Sequence, residues 1–127
     1  MKTQYTVALA MFAGFGLGAV AVQALHAQAK PPVYQITEIT PANMETYVKD
    51  YVPRAQAAIK AAGGRLIAGG AATAVDGDAP KPRVAITAWD SAEKFQAYRN
   101  SAAFKELLPT RDKLAKFRSF TVEGLPN

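Results

Sequence analysis

The chain has 127 residues, of which 50% are apolar, and a formal net charge of +5. Cysteine is absent, and the single histidine, His26, lies in an N-terminal segment that we expect to be removed. Without cysteine or histidine, the remaining domain cannot contain disulfides, Cys or His nucleophiles, Ser-His-Asp triads, typical zinc sites or haem bound through histidine. We therefore expect no cofactor. Asp76 and Asp78 are too few carboxylates for a calcium loop, so no metal site is predicted.

Residues Met1–Ala29 have the pattern of a signal peptide. Lys2 gives a positively charged n-region, and residues 7–24 form an uncharged apolar run. Ala27-Gln28-Ala29 then provides a small-x-small cleavage site. Cleavage after Ala27 is a weaker alternative. We therefore expect a protein that is exported, in a bacterium to the periplasm.

A retained membrane anchor is the other interpretation of this segment. The apolar run approaches the ~18 residues that begin to span a bilayer, and Gly14 and Gly18 form a GxxxG helix-packing motif. The many Ala and Gly residues make it weakly hydrophobic, which favours cleavage. Contact with a membrane is expected only if the segment is retained.

Residues 30–127 form one predicted domain of 98 residues with a charge of +4. Its basic residues are scattered without a run or interleaved aromatics, so we expect no nucleic-acid partner. A chain of this length buries a modest core, which oligomerisation would enlarge.

The first predicted strand is Val33 to Ile39, and Thr40-Pro41 is predicted to start a helix. That helix is expected to run to Ala62, with a kink at Pro53, where a backbone donor is missing. Its apolar stripe repeats at intervals of three and four residues and comprises Met44, Tyr47, Val48, Tyr51, Val52, Ala55, Ile59 and Ala62.

Gly63-Gly64 is predicted to end the helix, with Gly63 in the left-handed conformation. A second strand is predicted from Arg65 to about Val75, with a bulge or close approach at Gly69-Gly70. After a loop rich in Asp, Gly and Pro, a third strand is predicted from Arg83 to Trp89.

The segment Asp90-Ser91-Ala92-Glu93 resembles a capping box and predicts a helix to about Arg99. Ser101 is expected to cap a further helix, whose stripe contains Phe104, Leu107, Leu108, Arg111 and Leu114 or Ala115, with Pro109 limiting its regularity. The last predicted strand is Ser119 to Glu123.

The order βαββαβ predicts a ferredoxin-like α+β fold, with a four-stranded antiparallel sheet and helices on one face. We expect Tyr34, Ile36, Val84, Ile86, Phe120 and Val122 on the helix side. The opposite face would then carry Gln35, Thr37, Ala85, Thr87, Trp89, Thr121 and Glu123. That mixture suits a partner sheet or a wet pocket better than bulk water, which favours a homodimer.

A series of short motifs spans this domain: Tyr34, Thr40-Pro41, Tyr47, Tyr51, Gly63-Gly64-Arg65, Gly69-Gly70, Asp76-Gly77, Arg83-Val84, Ser91, Ser101, Phe104, Arg111 and Glu123-Gly124. Together they resemble the domain-of-unknown-function family 1330. The resemblance implies a dimeric α+β barrel, in which two ferredoxin-like sheets pack face to face. The family has no settled activity.

The chain departs from the usual pattern of that family at several positions. Relatives often carry Arg where Ala68 stands, Phe where Trp89 lies, Trp where Tyr98 lies and Tyr where Phe104 lies. Because that arginine is absent here, the resemblance does not imply anion binding by the loop before the glycine pair.

Arg111 is the most informative polar residue, because a charge on an apolar helix stripe needs a partner. It could form a structural ion pair with Glu123 or Asp112, or bind an anionic ligand. Each of the other candidates also has a structural interpretation. Trp89 could belong to the core or a dimer interface, and Tyr47 and Tyr51 could pack against the sheet. Glu123 could be a solvated strand end rather than a general base. The ligand-binding candidates are Arg111, Glu123, Trp89, Tyr47, Tyr51 and Thr87.

Two classes of function fit these residues. The first is a homodimer that binds a small molecule or has a structural role. The second is a cofactor-free enzyme, monooxygenase-like or isomerase-like, that acts on a small organic molecule with Tyr, Arg, Glu, Trp and Thr alone. No catalytic residue is identified.

Overall fold

The computed structural model describes residues 30–126, so the predicted signal peptide lies outside the described residues. The elements in chain order are β1 (Val33–Pro41), α1 (Met44–Asp50), α2 (Val52–Ala61), β2 (Arg65–Ala71), β3 (Arg83–Trp89), α3 (Ala92–Arg99), α4 (Ala102–Leu114) and β4 (Ala115–Glu123).

The four strands form one antiparallel sheet in the order β2-β3-β1-β4. The two central strands are therefore β1 and β3, and Gln35 lies opposite Thr87 in their register. This strand order and the alternation of strands with helices confirm the predicted ferredoxin-like α+β fold.

The first helix begins later than predicted. Thr40 and Pro41 continue β1, where they pair with Lys116 and Ala115 of β4. Asn43 is the N-cap, and its side-chain Oδ1 accepts a hydrogen bond of 2.9 Å from the backbone N–H of Thr46. Because Thr40 is paired with Lys116 in the sheet, it does not cap the helix. The next residue with a capping side chain, Asn43, does.

Where a kink at Pro53 is predicted within one helix, the structure has two helices that meet at Tyr51. Pro53 lies in the first turn of α2, where its missing N–H leaves no hydrogen bond unmade, and Tyr51 separates the two helices. The rings of Tyr47 and Tyr51 stack with centroids 5.5 Å apart, and both are buried. Being four residues apart, the two tyrosines lie on the same side of this helical segment.

The glycine pair after α2 has two separate structural roles. Gly63 has a φ of +93°, the left-handed conformation predicted for the end of the helix. At Gly64, a Cβ atom would lie 2.7 Å from Ile59 Cγ2 and 2.8 Å from Trp89 Cη2. Gly64 therefore lets the indole of Trp89 pack directly against the backbone where β2 begins.

Replacing Gly64 by alanine is expected to destabilise the domain by about 1–3 kcal/mol, because the added methyl group overpacks the site. Urea unfolding measures the change. Gly69→Ala is the matched control: its Cβ would meet only Leu66 side-chain carbons, at 3.8 Å, so stability should be unchanged or slightly higher. Equal stability of the two variants would contradict the packing role of Gly64.

The irregularity in β2 lies before the second glycine pair rather than at it. The pairing of β2 with β3 shifts between Leu66 and Ala68, and Gly69 and Gly70 then pair regularly with Ala85 and Val84. The extra residue is Ile67, which is exposed. The predicted bulge exists, but glycine does not mark it, and β2 ends at Ala71 rather than near Val75.

Hydroxyl caps start both C-terminal helices. Ser91, rather than Asp90 before it, caps α3 by accepting from the backbone N–H of Lys94 at 3.2 Å. Ser101 caps α4 as predicted, accepting from the N–H of Phe104 at 3.2 Å. The helix α4 continues through Pro109, and β4 begins at Ala115, four residues before the predicted start.

The alternation along the strands is as predicted, but the two faces are exchanged. The helices cover the face that carries Gln35, Thr37, Thr87 and Trp89, which we call the inner face. The outer face carries the apolar set expected under the helices: Tyr34, Ile36, Val84, Ile86, Phe120 and Val122. Phe120 is 41% exposed and Val122 is 50% exposed, whereas Trp89 is fully buried. Both faces contain apolar residues, so alternation alone did not distinguish them.

Two aromatic clusters lie between the inner face and the helices. One contains Tyr47 and Tyr51 with Ile39 and Leu107, and the other is formed by Trp89, Tyr98 and Phe104. Within residues 30–126, no helix is long and apolar enough to cross a membrane.

Candidate functional site

A pocket separates the inner face of the sheet from the helices. The space free of protein atoms is about 690 Å³, including its open mouth, and the centre of a water molecule can reach about 90 Å³ of it. The space that the centre of a water molecule can reach is smaller than that of most small-molecule sites, about 300–1,000 Å³, so the pocket suits a small ligand. Residues of the sheet form its floor, and α1, α2, α3 and α4 form its walls.

The charged residues that line the pocket are all cationic. Arg83, Arg99 and Arg111 line it, and none of the lining residues is Asp or Glu. Arg111 meets Asp112 at 3.4 Å, but the side chain of Asp112 is 67% exposed, and such exposed pairs are weak. Neither Arg83 nor Arg99 forms an ion pair with any residue in the described range.

Aromatic rings hold the guanidinium groups in place. Arg111 lies 3.8 Å from the centroid of Phe117 and 5.9 Å from that of Phe104. Arg99 lies 4.3 Å from the centroid of the same Phe104 ring. Attraction to the ring faces replaces part of the lost hydration of each cation but leaves its N–H groups available for hydrogen bonds.

The phenol groups in the pocket are neutral over the physiological pH range. Burial raises the pKa of Tyr47 and that of Tyr98 to about 12. Burial also raises the pKa of Tyr51, with the nearby Arg111 acting in the opposite direction. Burial, followed by repulsion from Arg111, lowers the pKa of the Arg99 guanidinium. The phenols therefore serve as neutral hydrogen-bond donors beside a concentration of positive charge.

Part of the floor of the pocket is polar. Gln35 and Thr87 are both buried and lie directly opposite each other on β1 and β3. Beside them, the hydroxyl of Ser119 donates to Thr37 Oγ1 at 3.1 Å. Trp89 lies on the same face, two residues beyond Thr87 on β3, and its Nε1 donates to Gln35 Oε1 at 3.3 Å.

The structure brings together four of the six ligand-binding candidates: Arg111, Tyr47, Tyr51 and Thr87 line the pocket. Trp89 does not line the pocket but donates a hydrogen bond to Gln35, which does. Glu123 is exposed at the end of β4 and does not line the pocket, and the ion pair of Arg111 is with Asp112 rather than with Glu123.

Sequence reasoning missed several pocket residues: Gln35, Arg83, Arg99 and Tyr98 were not proposed as site residues. A signal existed for Arg99, which follows Phe95 by four residues and so shares its helix face. Gln35 was assigned to the face opposite the helices, which concealed its position in the pocket.

A family model matches residues 32–125 of the chain, described as a domain of unknown function, DUF1330. The chain belongs to the DUF1330 family. The match covers the whole sheet and all of its helices, so the resemblance inferred from the short motifs is confirmed. Among curated protein sequences, no relative matches this DUF1330 chain.

Solved structures share the fold of this DUF1330 domain at low sequence identity. SnoaB from Streptomyces nogalater, a cofactor-independent oxygenase, has a TM-score of 0.58 and 13% identity, covering 76% of this chain and 96% of its own. The RPA0582 protein of unknown function from Rhodopseudomonas palustris has a TM-score of 0.61 and 15% identity, covering 84% and 94%. HapK from Hahella chejuensis has a TM-score of 0.54 and 18% identity, covering 75% and 94%. These neighbours are of the dimeric α+β barrel type, which confirms the predicted fold class.

The polar groups of this DUF1330 pocket are mainly hydrogen-bond donors. Guanidinium groups, phenols, hydroxyls and two amides line it, and all of these groups can donate hydrogen bonds. The lining residues include no carboxylate, imidazole or thiol that could accept a proton near neutral pH. This lining favours negative charge on a molecule in the pocket over removal of a proton from it.

Proposed function

We propose that this domain binds a small organic anion in the pocket between its sheet and helices. The observation that carries the proposal is the lining, which combines Arg83, Arg99 and Arg111 with no carboxylate. Like charges gathered in a partly dehydrated pocket repel one another, and a bound anion relieves that repulsion.

The shape and lining of the pocket favour an aromatic carboxylate. Arg111 and Arg99 each pack on the ring of Phe104, so an anionic group near that ring can reach both guanidinium groups. A guanidinium binds a carboxylate through two parallel hydrogen bonds. The rings of Tyr47, Tyr98 and Phe117 line the pocket and offer apolar contacts to a flat molecule.

Calorimetric titration with benzoate and with benzamide tests this proposal. The two molecules have nearly the same shape, but only benzoate is charged. We expect benzoate to bind about tenfold or more tightly than benzamide, and the difference to shrink as salt is added. Equal affinities, or binding of neither molecule, would contradict an anion site.

A second candidate function is that of a cofactor-free enzyme acting on the bound molecule. The shared fold with SnoaB, a cofactor-independent oxygenase, favours it, as does a lining that would stabilise an anionic form of a substrate. An oxygen electrode distinguishes the two functions, with dihydroxynaphthoate as an electron-rich aromatic anion. Oxygen consumption that rises in proportion to protein concentration would favour the enzyme. Binding without oxygen consumption would favour the ligand-binding protein.

We propose that the outer face packs against the same face of a second copy. In the protomer this face exposes much of Phe120 and Val122 and leaves Ile36 and Ile86 only partly covered. A sheet face of this composition is destabilising in water, and a face-to-face dimer would bury it. The solved neighbours of the dimeric α+β barrel type support this arrangement.

Replacing Ile86 by lysine is expected to convert the dimer into a folded monomer. Ile86 lies at the centre of the outer face, so a buried ammonium group there would oppose dimerisation without disturbing the inner face. Light scattering gives the mass, and circular dichroism checks the fold. Val75→Lys is the control, because Val75 is 89% exposed in the loop after β2. A dimer that survives Ile86→Lys, or a monomeric native protein, would contradict this interface.

Export to the periplasm is the remaining part of the proposed function, and it rests on the signal-peptide pattern of Met1–Ala29. Mass spectrometry of the protein from its bacterial host tests it. The proposal requires an N-terminus at Lys30, or at Gln28 for the alternative cleavage site, in the periplasmic fraction. An intact N-terminus in the cytoplasmic fraction would contradict export.

A further inference from the structure

One hydrogen bond fixes the orientation of the polar side chain at the floor of the pocket. Trp89 is fully buried, and its indole Nε1 lies 3.3 Å from Gln35 Oε1. The indole N–H can only donate a hydrogen bond. The amide of Gln35 must therefore present its oxygen to Trp89, and its NH₂ group must point the other way.

The NH₂ group of Gln35 faces the cavity. Gln35 is only 8% exposed, and within residues 30–126 its side-chain nitrogen has no hydrogen-bond partner. Yet no side-chain nitrogen or oxygen in this described part of the chain is both shut away from solvent and without a partner. The nitrogen consequently reaches the open space of the pocket, which Gln35 lines.

The neighbouring hydroxyl extends the same polar subsite. Thr87 is 4% exposed and lies directly opposite Gln35 in the sheet, so their side chains are adjacent on the inner face. Its hydroxyl has no hydrogen-bond partner among the described residues either, and by the same reasoning it opens into the cavity. Two neutral hydrogen-bonding groups thus lie on the floor, apart from Arg99 and Arg111 on the walls.

We infer that Gln35 is a specificity-determining donor for a neutral acceptor oxygen of the ligand, and that Trp89 is the positioning residue that fixes its amide. This inference rests on the proposed anion-binding function and narrows its ligand class. The ligand is an organic anion with a second oxygen, such as a carbonyl, that reaches the Gln35 NH₂ group. An anion lacking this oxygen leaves the donor unpaired in a dehydrated site, which weakens its binding.

Pairs of substituted benzoates test the inference. Each of the three acetylbenzoates is compared with the isopropylbenzoate of the same substitution pattern, in which a methyl group replaces the carbonyl oxygen. For the pattern that reaches the floor, we expect the acetyl compound to bind the native protein about fivefold more tightly. In Gln35→Leu this preference should fall to about one, and in Trp89→Phe it should lie between the two values, because the amide is then free to rotate.

Gln35→Glu provides a second variant in case Gln35→Leu does not fold. It keeps an acceptor for the indole N–H but places a carboxylate on the floor, so it should abolish the carbonyl preference and weaken both compounds. The chain has a single tryptophan, so one indole resonance in the NMR spectrum reports whether the floor is intact.

The outcomes separate the two proposals. Binding of isopropylbenzoates to the native protein tests the anion site alone, and failure of all six compounds to bind would overturn both proposals. Binding without a carbonyl preference in the native protein, or a preference that persists in Gln35→Leu or Gln35→Glu, would overturn only the role of Gln35. A preference unchanged in Trp89→Phe would overturn the positioning role of Trp89.

Discussion

Replacing Arg111 by methionine is expected to weaken benzoate binding by about 30- to 150-fold, which corresponds to about 2–3 kcal/mol. The expectation follows from the position of the guanidinium between Phe117 and Phe104, where it can form charge-assisted hydrogen bonds away from bulk water. Methionine keeps the apolar length of the side chain, so packing on Phe117 is largely retained. Calorimetry measures the affinity and urea unfolding the stability.

Arg65→Met is the matched control for this experiment. It removes the same charge, but Arg65 lies outside the pocket and pairs with Asp90 at 3.3 Å, both side chains being well exposed. Its affinity for benzoate should stay near the native value, and its stability should change by less than about 1 kcal/mol. If Arg111→Met lost stability but bound benzoate normally, Arg111 would be a structural residue paired with Asp112.

The domain is expected to lose about 3 kcal/mol of stability when the pH rises from about 9 to about 11. Burial raises the pKa of Tyr47 and of Tyr98 to about 12, whereas a tyrosine in the unfolded chain titrates near 10. Below about pH 10 both states keep these protons, and stability does not depend on them. Between about pH 10 and 12 only the unfolded chain loses them, so each tyrosine lowers stability by about 1.4 kcal/mol per pH unit.

Urea unfolding across this pH range measures the loss, and tyrosinate absorbance of the native protein follows the ionisation directly. Tyr98→Phe is the informative variant, because it removes one of the two pKa values raised to about 12 and should make the alkaline decline clearly shallower. If native Tyr47 and Tyr98 both ionised near pH 10, the phenols would not be the dehydrated neutral donors that the proposed site requires.

The sequence was sufficient for the fold because each element carries a local signal. Serine caps, the glycine at the end of α2, the proline that separates α1 from α2 and the two-residue alternation of the strands each act within a few residues. The start of α1 was misplaced because Thr40-Pro41 satisfies the same local rules as Asn43. Pairing with β4, a long-range interaction, decided between them.

The two faces of the sheet could not be assigned in the same way. Ile36 and Ile86 are typical core residues, and Gln35 and Thr87 are typical surface residues, so the apolar set was placed under the helices. The structure does the opposite, because the helices cover a polar-floored pocket and the apolar set faces outward. A sheet face that packs against another protein molecule has the composition of a core. The alternation of apolar and polar residues along a strand therefore does not show which face the helices cover.

The candidate site was only partly predictable for a related reason. Arg111 was found because a charge on an apolar helix stripe is anomalous wherever the helix packs. Arg99 and Arg83 lie near the end of α3 and at the start of β3, where charged residues are ordinary, and only the tertiary fold brings them to one cavity. Glu123 had the same local appearance and remained outside the pocket.

A crystal structure of the protein with para-bromobenzoate tests the anion-binding pocket most directly, because the anomalous signal of bromine locates the ligand independently of the refined model. We expect the bromine peak inside the cavity between sheet and helices, with the carboxylate within hydrogen-bond distance of the guanidinium groups of Arg99 or Arg111. Bromine only on the outer face or on the protein surface, with the pocket free of ligand, would contradict the proposed function.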